Sequence, residues 1–202
     1  MKIAPKEFSY NTQVVTRKFF DEHLKLYRGY VDKTNQITDE LRKDPKYGEA
    51  ASAWSHFRGL KNGQTFCMDG VILHELYFQN MGAKKQGPCP RTMKLIRDHF
   101  GTYENWAEDM TACGKAARGW VVLCWEQRSR CCANIIQDAH DAGVLCTAYP
   151  LLAMDMYEHA YYGDYGADKE RYIEKFLDGV SWDVVEARAL RLGEDQAITN
   201  ES

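Results

Sequence analysis

The sequence predicts an α+β protein with an all-helical front half and a mixed back half. Two changes of pattern carry that expectation. Apolar and aromatic residues recur at helical spacing through residues 11–81, whereas from Trp120 they gather in short continuous runs separated by charged turns. Between the two lies Gly82-Ala-Lys-Lys-Gln-Gly-Pro-Cys-Pro90, whose prolines and glycines cannot sit inside a helix. A boundary there gives an expected N-terminal long helical hairpin domain, residues 1–85, and a C-terminal α/β domain, residues 86–202.

Taken in order, residues 11–43 lack proline and place Phe19, Phe20, His23, Leu26, Tyr27, Tyr30 and Val31 at helical spacing. One long helix is expected, with a possible kink at Gly29. Pro45 breaks it, a second helix spans residues 49–60, Lys61-Asn-Gly63 reads as a turn, and a third helix spans residues 65–81. Beyond the boundary, residues 91–100 and 102–117 read as helices separated by Gly101, with Thr102 as N-cap. Residues 120–125 and 131–136 read as a β-hairpin. Residues 148–154 are apolar enough for a central strand, and residues 157–165 and 168–191 return to helical spacing.

Composition narrows the function classes. With 45% hydrophobic and 12% aromatic residues the chain is packed rather than disordered. Its 26 basic and 29 acidic side chains leave a net charge of -3, no surplus for neutralising phosphates, and nucleic acid is not an expected partner. No run approaches the ~20 apolar residues that span a bilayer, so no membrane association is expected. The N-terminal Met1-Lys-Ile-Ala-Pro-Lys-Glu7 lacks the apolar stretch of a signal peptide, and a cytoplasmic location is expected. Seven cysteines without a Cys-x-x-Cys pair fit buried, reduced thiols better than a disulfide framework.

The histidines point to chemistry. His23, Tyr27 and Tyr30 share one helix face, and His74, Tyr77, Phe78 and Met81 form a similar stripe. Two antiparallel helices could bring His23 and His74 together, although a core histidine bonded to a carbonyl gives the same pattern. Asp155 ends a buried apolar run and His159 follows one helical turn later. Burying that carboxylate costs several kcal/mol unless it is protonated or meets a cation. Three imidazoles and one carboxylate suit a first-row transition ion; an N-cap aspartate beside a surface histidine is the other reading. A di-iron carboxylate bundle would need Glu-x-x-His pairs, and no histidine here has a glutamate three residues before it.

Asp155-Met-Tyr-Glu-His-Ala-Tyr-Tyr162 resembles the Asp-x-Trp-Glu-His-Ala-Tyr signature of the iron/manganese superoxide dismutases. His23 with Tyr30-Val-Asp-Lys-Thr-Asn35, and Gly70-Val-Ile-Leu-His74 with Phe78-Gln-Asn80, resemble that family's first and second ligand segments. Gly119-Trp120, Pro150-Leu-Leu152, Asp164-Tyr165, Tyr172-Ile173 and Ser181-Trp182-Asp183 follow in order, so the resemblance covers roughly residues 9–190.

The resemblance implies a three-stranded antiparallel sheet in the C-terminal domain and one iron or manganese ion per subunit, held by His23, His74, Asp155 and His159. It implies superoxide as substrate, with Tyr30 and His140 holding the metal's solvent molecule and Trp120 lining the site. It also implies a homodimer through Glu158 and Tyr162, with a tetramer as the alternative assembly. Several residues depart from the family pattern: Tyr27 stands where a second histidine is usual, Tyr157 and Phe78 where tryptophan is common. Lys169 stands where an arginine often provides a cation at the mouth of the site. Gly70 resembles the manganese type, in which the outer hydrogen-bonding side chain comes from the C-terminal domain, here His140. A metal-binding structural homologue with little or no dismutase turnover is the alternative function.

Overall fold

The computed structural model describes residues 2–199. Its elements are α1 (Arg17–Lys43), α2 (His56–Asn80), α3 (Pro90–Phe100), α4 (Tyr103–Ala116), β1 (Trp120–Glu126), β2 (Cys131–Gln137), β3 (Ala148–Asp155), α5 (Glu158–Tyr165), α6 (Lys169–Asp178) and α7 (Trp182–Thr199). Helices come first, followed by one antiparallel three-stranded sheet with helices packed on it, as the α+β reading expects. No helix among the described residues is long and apolar enough to cross a membrane. All seven cysteines are free thiols.

α1 starts at Arg17, not at residue 11. Thr16 is held extended as N-cap because the Asp164 carboxylate, from α5, accepts its N–H at 2.6 Å and its hydroxyl at 2.8 Å. Val14 and Val15, just before it, are buried in the core instead of lying on a helix. From there α1 runs through Gly29 as a single helix.

The expected turn at Lys61-Asn-Gly63 does not form; α2 passes through it from His56. Ser55 caps this start by accepting the Arg58 N–H at 3.1 Å. Gly63 costs roughly 1 kcal/mol of helix propensity. The cost brings close approach in return: a Cβ at Gly63 would lie 3.0 Å from Ile37 of α1. His23 near the start of α1 meets His74 near the end of α2, so the two helices run antiparallel.

The sheet order is β2-β1-β3, so β1 is central and the run at 148–154 is an edge strand, contrary to the expectation. Its apolar character has another cause. α2 and α7 both pack on β3, burying every residue of Leu151 to Asp155. In the β1–β3 register Trp120 lies opposite Asp155, which places the indole beside the carboxylate.

The helical spacing over 168–191 divides into α6 and α7 at Gly179. There the chain is pinned to the end of α2: Gly82 N–H donates to Gly179 O and Ser181 N–H to Asn80 O. A Cβ at Gly179 would strike Val14 at 2.5 Å, which requires glycine.

Candidate metal centre

Four elements deliver one side chain each. His23 comes from α1, His74 from α2, Asp155 from the last residue of β3 and His159 from the first turn of α5. Their potential ligand atoms all lie within 4.8 Å of one another. Asp155 Oδ2 is 3.2 Å from His23 Nε2, 3.3 Å from His159 Nε2 and 3.8 Å from His74 Nε2. Asp155 and His74 are fully buried and His23 nearly so, whereas the His159 side chain is 31% exposed.

The outer atoms of His74 and Asp155 are tied down, whereas the inner ones are not. The His74 Nδ1–H donates to Gly70 O at 2.6 Å, turning the Nε2 lone pair toward the cluster. Asp155 Oδ1 accepts the Tyr157 N–H at 2.9 Å, and the Asp155 backbone carbonyl accepts the Tyr172 hydroxyl at 2.8 Å. Asp155 Oδ2, His23 Nε2 and His74 Nε2 are buried without a hydrogen-bond partner. Buried polar atoms are normally paired. Their convergence fits a cation at the centre, and three nitrogens with one carboxylate oxygen suit a first-row transition ion.

The electrostatics agree. Burial pushes His74 down to about 3, and the neighbouring His23 acts in the same direction. Burial also lowers His23. It opposes the charge on Asp155, but the imidazoles of His159 and His23 outweigh it and hold the carboxyl well below its usual range. An anionic Asp155 carboxylate beside neutral His23 and His74 is the protonation state that metal ligation needs.

A second ring of residues closes the site. Trp120 packs its indole on His74 at 5.1 Å and donates from Nε1 to His140 Nδ1 at 2.9 Å. His140 Nδ1 is therefore the acceptor, which places the ring proton on Nε2, a buried atom with no other partner among the described residues. Burial lowers His140, keeping the ring neutral. Tyr30 is half-buried, with its ring 5.3 Å from His74 and 4.8 Å from His140. Gly70 makes this packing possible, since a Cβ there would lie 3.1 Å from Tyr30 and 3.2 Å from His140. Tyr157 stacks on His159 at 5.3 Å, and burial with nearby Asp155 pushes its hydroxyl up to about 12.

The structure thus brings together all six residues singled out from the sequence. Glu158 and Tyr162 lie exposed beside His159. Two residues make bonds that the sequence did not suggest. Lys169 does not stand free: its ammonium donates to Ala117 O at 2.7 Å and Lys115 O at 3.5 Å, fastening the approach to β1. Tyr27 is buried in the core with its hydroxyl bonded on both sides. Neither bond has a sequence signature, because each joins segments distant in the chain.

A helix pair joined to a helix-covered three-stranded sheet, with a His3Asp cluster between them, is an architecture that could hold a transition-metal ion. Residues 88–188 match the family model described as iron/manganese superoxide dismutases, C-terminal domain. The chain is 34% identical over 195 residues to the iron superoxide dismutase of Aquifex aeolicus, covering 93% of this chain and 91% of that protein. It is 35% identical over 158 residues to manganese superoxide dismutase 1 of Halobacterium salinarum, covering 78% and 77%. A manganese superoxide dismutase 2 of Haloferax volcanii is 33% identical over 163 residues, covering 80% of each. The chain belongs to the iron/manganese superoxide dismutase family.

Proposed function

We propose that this protein is a superoxide dismutase with one iron or manganese ion per chain, held by His23, His74, Asp155 and His159. The observation that carries the reading is the set of buried, partnerless ligand atoms of His23, His74 and Asp155 converging between α1, α2 and β3, with His159 of α5 completing the cluster from its exposed side. Relatives named for iron and for manganese both align over most of the chain, which supports either metal.

When bound, iron or manganese supplies one-electron chemistry between divalent and trivalent states, converting two superoxide anions and two protons into dioxygen and hydrogen peroxide. The chain's residues do the rest. Asp155 contributes the negative charge that offsets the cation in a buried site, and its Oδ1 bond to the Tyr157 N–H holds Oδ2 inward. His140 presents an N–H donor at Nε2, fixed in that tautomer by Trp120. Tyr30 supplies a hydroxyl from a half-buried ring beside His74 and His140, and Trp120, Tyr77 and Phe78 exclude water from the ligand cluster. His140 Nε2 and Tyr30 Oη are the atoms that hold protons for transfer to reduced oxygen.

The same reading includes two domains, residues 1–85 and 86–202, and a homodimer formed through Glu158 and Tyr162. Both residues are exposed next to His159, and an exposed carboxylate there suits an imidazole N–H from a second copy. The test is a dismutase assay on protein loaded with iron and, separately, with manganese. Turnover well above free metal is expected with at least one. Background activity with both would overturn the enzyme reading and leave a metal-binding homologue.

A further inference from the structure

The two histidines of the helix pair are held by different means. His74 is oriented by its bond to Gly70 O. His23 has no hydrogen bond at Nδ1 among the described residues; its ring rests on Tyr77 and Phe78, each at 5.1 Å. A metal-bound histidine ordinarily has its second nitrogen tied, which fixes the ring. For His23 that task falls to packing, with the rings of His74 at 5.0 Å and His159 at 4.8 Å on the cluster side and Tyr77 and Phe78 behind, so whatever fixes Phe78 helps to fix His23.

Phe78 is pressed by Phe8 at 5.2 Å and Tyr27 at 6.2 Å, and Phe8 also meets Tyr27 edge-on at 5.7 Å. Tyr27 lies one turn beyond His23 and is fully buried. Its hydroxyl accepts the Lys6 N–H at 2.7 Å and donates to Glu75 Oε1 at 3.0 Å. The Lys6 ammonium closes the circle on Glu75 Oε2. Three segments are joined in one ring of contacts: the N-terminal strap, α1 beside His23, and α2 at the residue after His74.

We propose that Tyr27, Glu75 and Lys6 form a clasp that positions His23, acting through Phe8 and Phe78, with Tyr27 as its central member. Tyr27 is a positioning residue and touches no reacting atom. The proposal rests on His23 being a metal ligand. The structure also offers a control. Asn35 fastens the same strap farther along α1, exchanging two 2.9 Å hydrogen bonds with the backbone of Ile3. It lies 12 residues beyond His23, roughly 18 Å along the helix. Loosening the strap there removes structural support without touching the clasp.

The experiment compares ferric-loaded wild type, Tyr27→Phe, Glu75→Gln and Asn35→Ala by the EPR spectrum of the iron and by its rate of release to a chelator. Tyr27→Phe is expected to change the spectrum and release iron about tenfold faster. Glu75→Gln keeps an acceptor for the tyrosine and should stay nearer wild type. Asn35→Ala should lose unfolding stability with the spectrum and release rate unchanged. If Tyr27→Phe does not fold, Glu75→Leu carries the same expectation. A wild-type spectrum and release rate in Tyr27→Phe, or in Glu75→Leu where it stands in, or equal changes in Asn35→Ala, would overturn the clasp alone. Wild-type protein that takes up no metal would overturn the ligand assignment and the clasp with it.

Discussion

Replacing Trp120 by Phe removes the hydrogen bond that sets the tautomer of His140. The indole is fully buried and its Nε1 lies 2.9 Å from His140 Nδ1, so the variant leaves a buried acceptor without a partner. That orphan costs about 1–3 kcal/mol, and the smaller ring leaves a cavity worth about 1–2 kcal/mol more. A fold of ordinary stability, about 5–15 kcal/mol, survives the sum. The functional effect follows from the same bond. A hydrogen bond of net about 1–1.5 kcal/mol biases the ring roughly five- to tenfold toward the Nε2–H form. Losing that bias removes a fixed donor beside the ligand cluster, and 1–1.5 kcal/mol corresponds to about 40–65 mV. Potentiometric titration of the metal-loaded variant should therefore show a shift of this order, with a changed pH profile of turnover and unchanged metal content. A midpoint potential and pH profile indistinguishable from wild type, with the metal retained, would refute the role of His140 as a fixed donor.

Other expectations follow from the same geometry. In metal-free protein His74 is depressed from the ordinary 6.5 to about 3, so the unfolded chain binds its proton first as pH falls. Stability is then fully present above pH 6.5 and declines toward pH 3 by up to about 1.4 kcal/mol per pH unit for each such imidazole. Urea unfolding at several pH values checks this, and a flat profile between pH 6.5 and 4 would contradict it. Gly70→Ala gains about 1 kcal/mol of helix propensity but forces a methyl against Tyr30 and His140, costing about 1–3 kcal/mol. Thermal unfolding should show neutral to modest destabilisation, and steady-state kinetics a clear fall in turnover with the metal kept. In the proposed dimer, Glu158→Ala should shift the equilibrium toward monomer in light scattering; an unchanged dimer with full metal content would exclude the carboxylate bridge.

The parts of the site legible in the sequence are those written in local period. His23 and His74 stand on helical stripes, and Asp155 and His159 mark the change from an apolar run to a helical turn. His140 has no local signal, because it lies in the polar segment Asp138-Ala-His-Asp-Ala-Gly143, and only its family resemblance drew it inward. What was illegible depends on partners far along the chain. α1 begins at Arg17 because Asp164, 148 residues away from Thr16, takes the Thr16 N–H. α2 runs through Lys61-Asn-Gly63 because Ile37 packs against Gly63. The apolar run at 148–154 is an edge strand because helices, not strands, complete its burial. The clasp at Tyr27 joins residues 48 and 21 positions apart, which no periodicity reports.

The most direct test of the account is a count of metal per chain. Elemental analysis of purified wild type, His74→Ala and Asp155→Ala, each reconstituted with iron and with manganese, reads the ligand cluster without relying on turnover. One equivalent of iron or manganese per wild-type chain is expected, falling close to zero in both variants because each loses a ligand from a buried site. A wild type that binds neither metal, or full occupancy in both variants, would contradict the assignment of His23, His74, Asp155 and His159 as the metal centre.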